Sequence, residues 1–211
     1  VVSRVRRLFD LDARPDLVAA HLAADPALAA KVSRIPGLRV PGAFDPFEMA
    51  VRVVLGQQVS VRAATTLSGR LAARFGTPRD DDASIGVPTL FPSAPELASV
   101  PPEVLREIGL PMARARTLSA LACAVADERI ELDEGADPAA LIAELCRIEG
   151  VGPWTAQVIA MRALGWPDAF PAGDLVLQRA LGLSSASRAE ERSRQWRPWR
   201  AYAVLHLWDD R

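Results

Sequence analysis

Two short stretches carry the residues best suited to chemistry. The first is Glu149-Gly150-Val151-Gly152-Pro153, followed by Trp154-Thr155-Ala156. Two glycines around one apolar residue permit a tight turn with unusual dihedrals. A helix opening straight after that turn leaves backbone N–H groups without intrahelical acceptors. Such groups, unshielded by side chains, are suited to a phosphate oxygen, and Gly150, Val151, Gly152 and Thr155 are the expected phosphate-binding residues. The carbonyls of Cys146, Ile148 and Val151 are candidate ligands for an alkali cation, Na+ or K+, beside that phosphate. Taken alone, Gly-x-Gly between helices is also an ordinary αα-hairpin with a glycine cap. The second stretch is Phe170-Pro171-Ala172-Gly173-Asp174. Asp174 stands one residue before a predicted helix, where its carboxylate caps the helix and the dipole favours its charged form.

The elements that must place these residues are helical. Apolar residues recur at helical intervals over 16–32, over 47–75 with a break near Gly56-Gln57-Gln58, and over 96–105 and 113–126. The same pattern holds for 138–148, 154–164, 175–183, 188–196 and 199–208. Asp137-Pro138 is a helix start, a capping side chain with proline at the first helical position. No sustained alternation of β-branched residues marks a strand. The stretch 76–95, rich in Asp, Pro, Ser and Thr, is expected to be an exposed loop. The predicted fold is all-α. Pro/Gly-rich joints at 35–46 and 165–173 divide it into a central helical lobe over 46–166 and a second lobe from 1–45 plus 167–211, with a ligand cleft expected between the lobes.

Half of the 211 residues are hydrophobic, enough for a folded core. No apolar run reaches the roughly 20 residues of a membrane span. Two cysteines and two histidines, scattered, give no zinc or iron–sulfur spacing. The net charge of −1 argues weakly against bulk nucleic-acid binding. Of 25 basic residues, however, only Lys31 is a lysine, and arginines crowd the C-terminal part. Arginine suits phosphate through its planar fork, although a GC-rich genome yields the same bias. The chain begins Val1-Val2 and reads as a piece of a longer protein.

Four segments together resemble the helix–hairpin–helix base-excision DNA glycosylases, and within them the 3-methyladenine DNA glycosylase II branch. They are Phe47-Glu48 with Leu55-Gly56-Gln57-Gln58-Val59-Ser60, Gly109-Leu110-Pro111 with Arg114-Ala115, the hairpin 148–156, and the run from Phe170 through Asp174 to the Trp196–Trp208 region. The resemblance implies that Asp174 is the catalytic carboxylate, stabilising an oxocarbenium-like sugar or orienting water. It implies a base pocket around Trp154, Trp208, Val158 and Leu175, since a flipped base stacks on aromatic faces. Val158 and Leu175 stand where a well-known bacterial member has tyrosines, which leaves the lesion range open. Gln58, with Gln57 beside it, stands where that member inserts a leucine wedge into the gap left by the base.

Strand-nicking members of the superfamily carry a Schiff-base lysine where this chain has Trp154. The resemblance therefore implies excision without lyase activity, leaving an abasic site. The implied partner is double-stranded DNA containing a damaged base, with no membrane, no required cofactor, a monomeric state and a bacterial cytoplasmic setting. An N-terminal β-rich domain found in the branch is expected to precede this chain and to be absent from it. Two other readings stay open: a glycosylase for another lesion such as uracil, and a non-catalytic helix–hairpin–helix DNA-binding module.

Overall fold

The computed structural model describes residues 1–78, 89–133 and 135–209. Residues 79–88, the middle of the expected loop, lie outside the described set. Among the described residues the only β pairing is an isolated bridge between Pro78 and Thr89. The all-α expectation holds. No described helix is long and apolar enough to cross a membrane.

The chain forms two compact units. The first comprises 1–44 with 156–211 and the second 45–155. The second boundary falls at 155/156, inside a helix, and not at the Gly165-Trp166-Pro167 joint expected from sequence. The reason is packing. Met161 is buried in the same core as Trp196 and Leu207, so the residues after 155 fold with the C-terminal helices.

In the first unit, α1 (Val2–Leu8), α2 (Pro15–Leu22) and α3 (Pro26–Arg34) precede the chain's departure at Phe44. The helix expected over 16–32 is broken in two. Asp25 accepts the Ala27 N–H, and Pro26 takes the first helical position, where its missing N–H costs nothing. After the return at Ala156 come the rest of α10 (Pro153–Ile159), a π-helical turn Ala160–Leu164, α11 (Leu175–Ala180), α12 (Ala186–Ser193) and α13 (Arg200–Trp208). Leu22, Leu28, Phe170, Leu177, Trp196, Val204 and Leu207 form the core, with α13 packed on α3 and α11. Each such side chain contributes about 1.5–3 kcal/mol on burial. Polar ties join the two sequence-distant parts. Asp25 receives Trp196 Nε1 at 2.6 Å and pairs with Arg192 at 2.6 Å. Asp10 receives the Tyr202 hydroxyl at 2.7 Å.

In the second unit, α8 (Met112–Ala126) is the central helix, packed by α4 (Pro46–Leu55), α6 (Ala94–Ala98) and α7 (Pro102–Leu105). α5 (Val61–Phe75) lies against α4, and α9 (Pro138–Leu145) leads into the hairpin. The helix expected over 96–105 is two short ones, since Pro101-Pro102 forces an extended residue and a new start. Phe47, Val51, Leu55, Leu97, Leu105, Leu118, Leu121 and Leu145 are buried.

Candidate functional site

The hairpin belongs to unit 45–155 and is built by side chains that sequence reasoning did not single out. Val151 donates its N–H to the Ile148 carbonyl at 3.0 Å, and its side chain is buried. Its N–H is therefore spent on the turn, unlike the phosphate role expected for it. Gly150 has φ +88°, and a Cβ there would lie 2.2 Å from Thr117 Oγ1. That hydroxyl sits 2.8 Å from the Glu149 carbonyl and 3.0 Å from that of Ala113, able to donate its one proton to either. Gly150 is thus required by the fold. Gly152 differs: its φ is ordinary, and a Cβ would meet nothing within 4 Å. The space beside Gly152, at the opening of α10, is where a phosphate can approach the backbone. Thr155 is buried and its hydroxyl accepts Gln57 Nε2 at 3.0 Å, so the hydroxyl is not open to a phosphate.

Gln57, expected beside the wedge, points elsewhere. Its Nε2 donates to the Gly150 carbonyl at 2.9 Å and to Thr155 Oγ1 at 3.0 Å. The Gln57 backbone carbonyl accepts Arg114 Nη2 at 2.6 Å. The side-chain NH2 is consumed in tying the 56–60 loop to the hairpin. Gln58, exposed and held at φ +55°, is the residue this loop presents outward. Next to it Val61, 85 % exposed, opens α5 behind the Ser60 cap. Sequence reasoning passed over Val61; its signal is an apolar, β-branched residue directly after a capping serine.

The alkali-ion expectation bears on the same turn. The Glu149 and Gly150 carbonyls are engaged by Thr117 and Gln57. Of the three carbonyls expected to hold it, those of Cys146, Ile148 and Val151, that of Ile148 accepts the Val151 N–H at 3.0 Å. Among the described residues no cluster of three or more His, Cys, Asp or Glu could hold a metal ion.

The carboxylate belongs to the other unit. Asp174 is the N-cap of α11, with Oδ1 accepting the N–H groups of Val176 at 2.8 Å and Leu177 at 3.0 Å. Beside it Leu175 is 65 % exposed, and Val176 is also largely exposed. Exposed apolar side chains flanking a capped carboxylate offer a surface for an apolar ligand face. The other pocket candidates are differently placed. Val158 is buried in α10, Trp208 is half-buried against the core of this unit, and Trp154, half-buried, belongs to the hairpin unit. The segment before Asp174 leaves the π-helical turn through Gly165 at φ +71°. It is tied down by Arg200, which is buried and pairs with Asp168 through Nε at 2.8 Å and Nη2 at 3.0 Å.

Comparison with known proteins identifies the family. Residues 51–199 match the family model described as HhH-GPD superfamily base excision DNA repair protein, and residues 1–45 match the AlkA N-terminal domain model. A Mycobacterium tuberculosis protein, "Probable bifunctional transcriptional activator/DNA repair enzyme AlkA", is 49% identical over 98% of this chain and 42% of its own length. This chain thus spans less than half of that relative. The Escherichia coli DNA-3-methyladenine glycosylase 2 is 35% identical over 98% of this chain and 70% of its own. The solved 3-methyladenine DNA-glycosylase from Archaeoglobus fulgidus has the same fold, with a TM-score of 0.80 at 24% identity over 98% of this chain and 72% of that one. By the match over 51–199 and the E. coli relative, the chain belongs to the HhH-GPD superfamily of base excision DNA repair proteins.

Proposed function

We propose that this chain is a monofunctional DNA glycosylase that releases alkylated, 3-methyladenine-type bases from double-stranded DNA and leaves an abasic site. The observation that carries this reading is Asp174, a carboxylate held by two backbone N–H groups at the head of α11 with Leu175 exposed beside it. An alkylated purine already carries positive charge. As the C1′–N bond breaks, its electron pair leaves with the base and neutralises it, and positive charge develops on the sugar. A fixed carboxylate stabilises that charge. Water then adds to C1′ and releases its proton to solvent or to the carboxylate.

In this reading the hairpin grips the phosphate backbone through Gly152 and the opening of α10, with an alkali cation on the carbonyls of Cys146, Ile148 and Val151. Gln58 is the wedge residue of this reading, and Trp154 and Trp208 are its candidate stacking residues. Strand cleavage would require an amine able to form an imine with C1′. The one lysine, Lys31, lies in α3, and Trp154 stands at the hairpin position where lyase members carry theirs.

The test is Asp174→Asn on a duplex with a single 7-methylguanine. Base release is expected to fall by a factor of about 100 or more, with affinity for undamaged duplex retained. Release at near the unsubstituted rate would remove Asp174 from the mechanism. Borohydride during turnover is expected to trap no protein–DNA adduct. A trapped adduct that survives Lys31→Ala and a blocked N-terminus would end the monofunctional reading.

A further inference from the structure

The segment that ends at Asp174 is irregular, and a carboxylate on such a segment is only as well placed as the backbone before it. Three helices hold that backbone. From α13, the Ala201 N–H reaches the Pro167 carbonyl at 2.9 Å, and Arg200 holds Asp168. From α10, Gln157 Oε1 accepts the Phe170 N–H at 2.9 Å, while the Phe170 ring is buried and meets Trp196 edge-on. These grips stop four residues short of Asp174. The last comes from α11 itself. Gln178, 9 % exposed, turns its side chain back over the start of its own helix and donates Nε2 to the Ala172 carbonyl at 3.0 Å.

This closes a ring. The Gln178 N–H bonds to the Asp174 carbonyl at 3.0 Å, the Asp174 N–H to the Pro171 carbonyl at 2.8 Å, and Asp174 Oδ1 takes the N–H groups of Val176 and Leu177. Gly173 sits inside the ring, and a Cβ there would meet nothing within 4 Å. Glycine has the widest backbone freedom of any residue, and this one has no side-chain contact to steady it. The Ala172 carbonyl is the last fixed point before it.

We infer that Gln178 is a positioning residue whose buried amide grips the Ala172 carbonyl and thereby sets where the Asp174 carboxylate stands. The inference rests on the reading of Asp174 as the catalytic group. Misplacing a reacting group by about 1 Å is enough to cost on the order of 100-fold in rate. A residue that only filled core volume would need no donor.

The experiment compares Gln178→Met, Gln178→Glu, Asp174→Asn and the double variant Asp174→Asn/Gln178→Met. Single-turnover release from a duplex with one 7-methylguanine is measured with affinity for undamaged duplex and thermal melting. Gln178→Met keeps length and volume but has no donor. It is expected to slow release about 10- to 100-fold with duplex affinity unchanged. The double variant is expected to be no slower than Asp174→Asn alone, because the two act as one unit. In Gln178→Glu only the protonated acid can donate to the carbonyl, so its rate relative to the unsubstituted protein should rise as pH falls. That arm decides the matter if Gln178→Met proves unstable. Gln178→Met releasing base at the unsubstituted rate, losses that multiply in the double variant, or a flat relative pH profile for Gln178→Glu would each overturn the inference. If Asp174→Asn keeps full activity, the catalytic reading itself fails. If Asp174→Asn is inactive while Gln178→Met is unimpaired, the positioning role alone fails.

Discussion

Alanine at Gly150 and alanine at Gly152 should fail in opposite ways. At Gly150 the backbone is left-handed, at φ +88°, which costs a non-glycine residue about 1–2 kcal/mol. The new Cβ would also stand 2.2 Å from Thr117 Oγ1, which is buried and fixed by the Glu149 and Ala113 carbonyls. Displacing that hydroxyl forfeits a further hydrogen bond, about 1 kcal/mol. The sum, about 2–3 kcal/mol, corresponds to roughly 4–12 °C in melting temperature for a chain of this size. Gly152→Ala meets no atom within 4 Å and keeps an ordinary φ. Its stability should stay within about 0.5 kcal/mol of the unsubstituted protein. Its methyl, however, occupies the path of a phosphate toward the helix start. Losing one hydrogen bond to a charged group costs about 1.5–3 kcal/mol, or about 10- to 150-fold in affinity. Thermal melting and fluorescence-anisotropy titration with an undamaged duplex measure the two quantities. Undiminished duplex affinity in a fully stable Gly152→Ala would refute the phosphate role of the hairpin.

Two further outcomes follow from the polar ties. Gln57→Leu strips the Gly150 carbonyl and Thr155 of their shared partner. It should cost about 1 kcal/mol in stability and weaken duplex binding along with it, and a variant unaffected in both titration and melting would contradict the tie. Asp25 is buried, which by itself raises its carboxyl. The Ala27 N–H, Arg192 and Trp196 outweigh that and hold it below the usual carboxylate range. The folded-state value is depressed, so the stabilisation is present at neutral pH and is lost as pH falls through that value. Asp25→Asn should therefore melt lower at neutral pH and lack part of the decline expected as pH falls below about 4; parallel curves for the two proteins would count against it.

Much of the architecture was legible because its signals are local. Asp137-Pro138 and Ser60 start helices as their capping chemistry dictates, and the Gly150–Gly152 turn falls where the two helical patterns meet. The break at Asp25-Pro26 carries the same capping signal, yet the Ala/Leu periodicity on either side masked it. The site was legible only in part. Asp174 announces itself as a cap, but apart from Gln178 in its own helix its supports come from distant residues. Arg200 lies 32 residues from Asp168, and Gln57 lies 93 from Gly150. Pairings across such separations depend on tertiary packing, which periodicity does not encode. Gln57 and Gln58 are adjacent and identical in type, and only the left-handed backbone at Gln58 decides which faces the hairpin and which faces out.

The way the first unit is assembled has a consequence for synthesis. Asp10 pairs with Tyr202 across 192 residues, Arg34 with Asp209 across 175 and Asp25 with Trp196 across 171. The intervening unit closes within its own 111 residues, 45 through 155. A ribosome moving at about 5–20 residues per second delivers that unit complete while Leu22, Leu28 and Val32 still await the helices that will cover them. The apolar faces of α2 and α3 are therefore made before the 45–155 unit and buried only after it. For the several seconds in which residues 156–211 are made, a nascent chain carrying a finished domain also carries an exposed apolar segment, the kind of surface that chaperones hold.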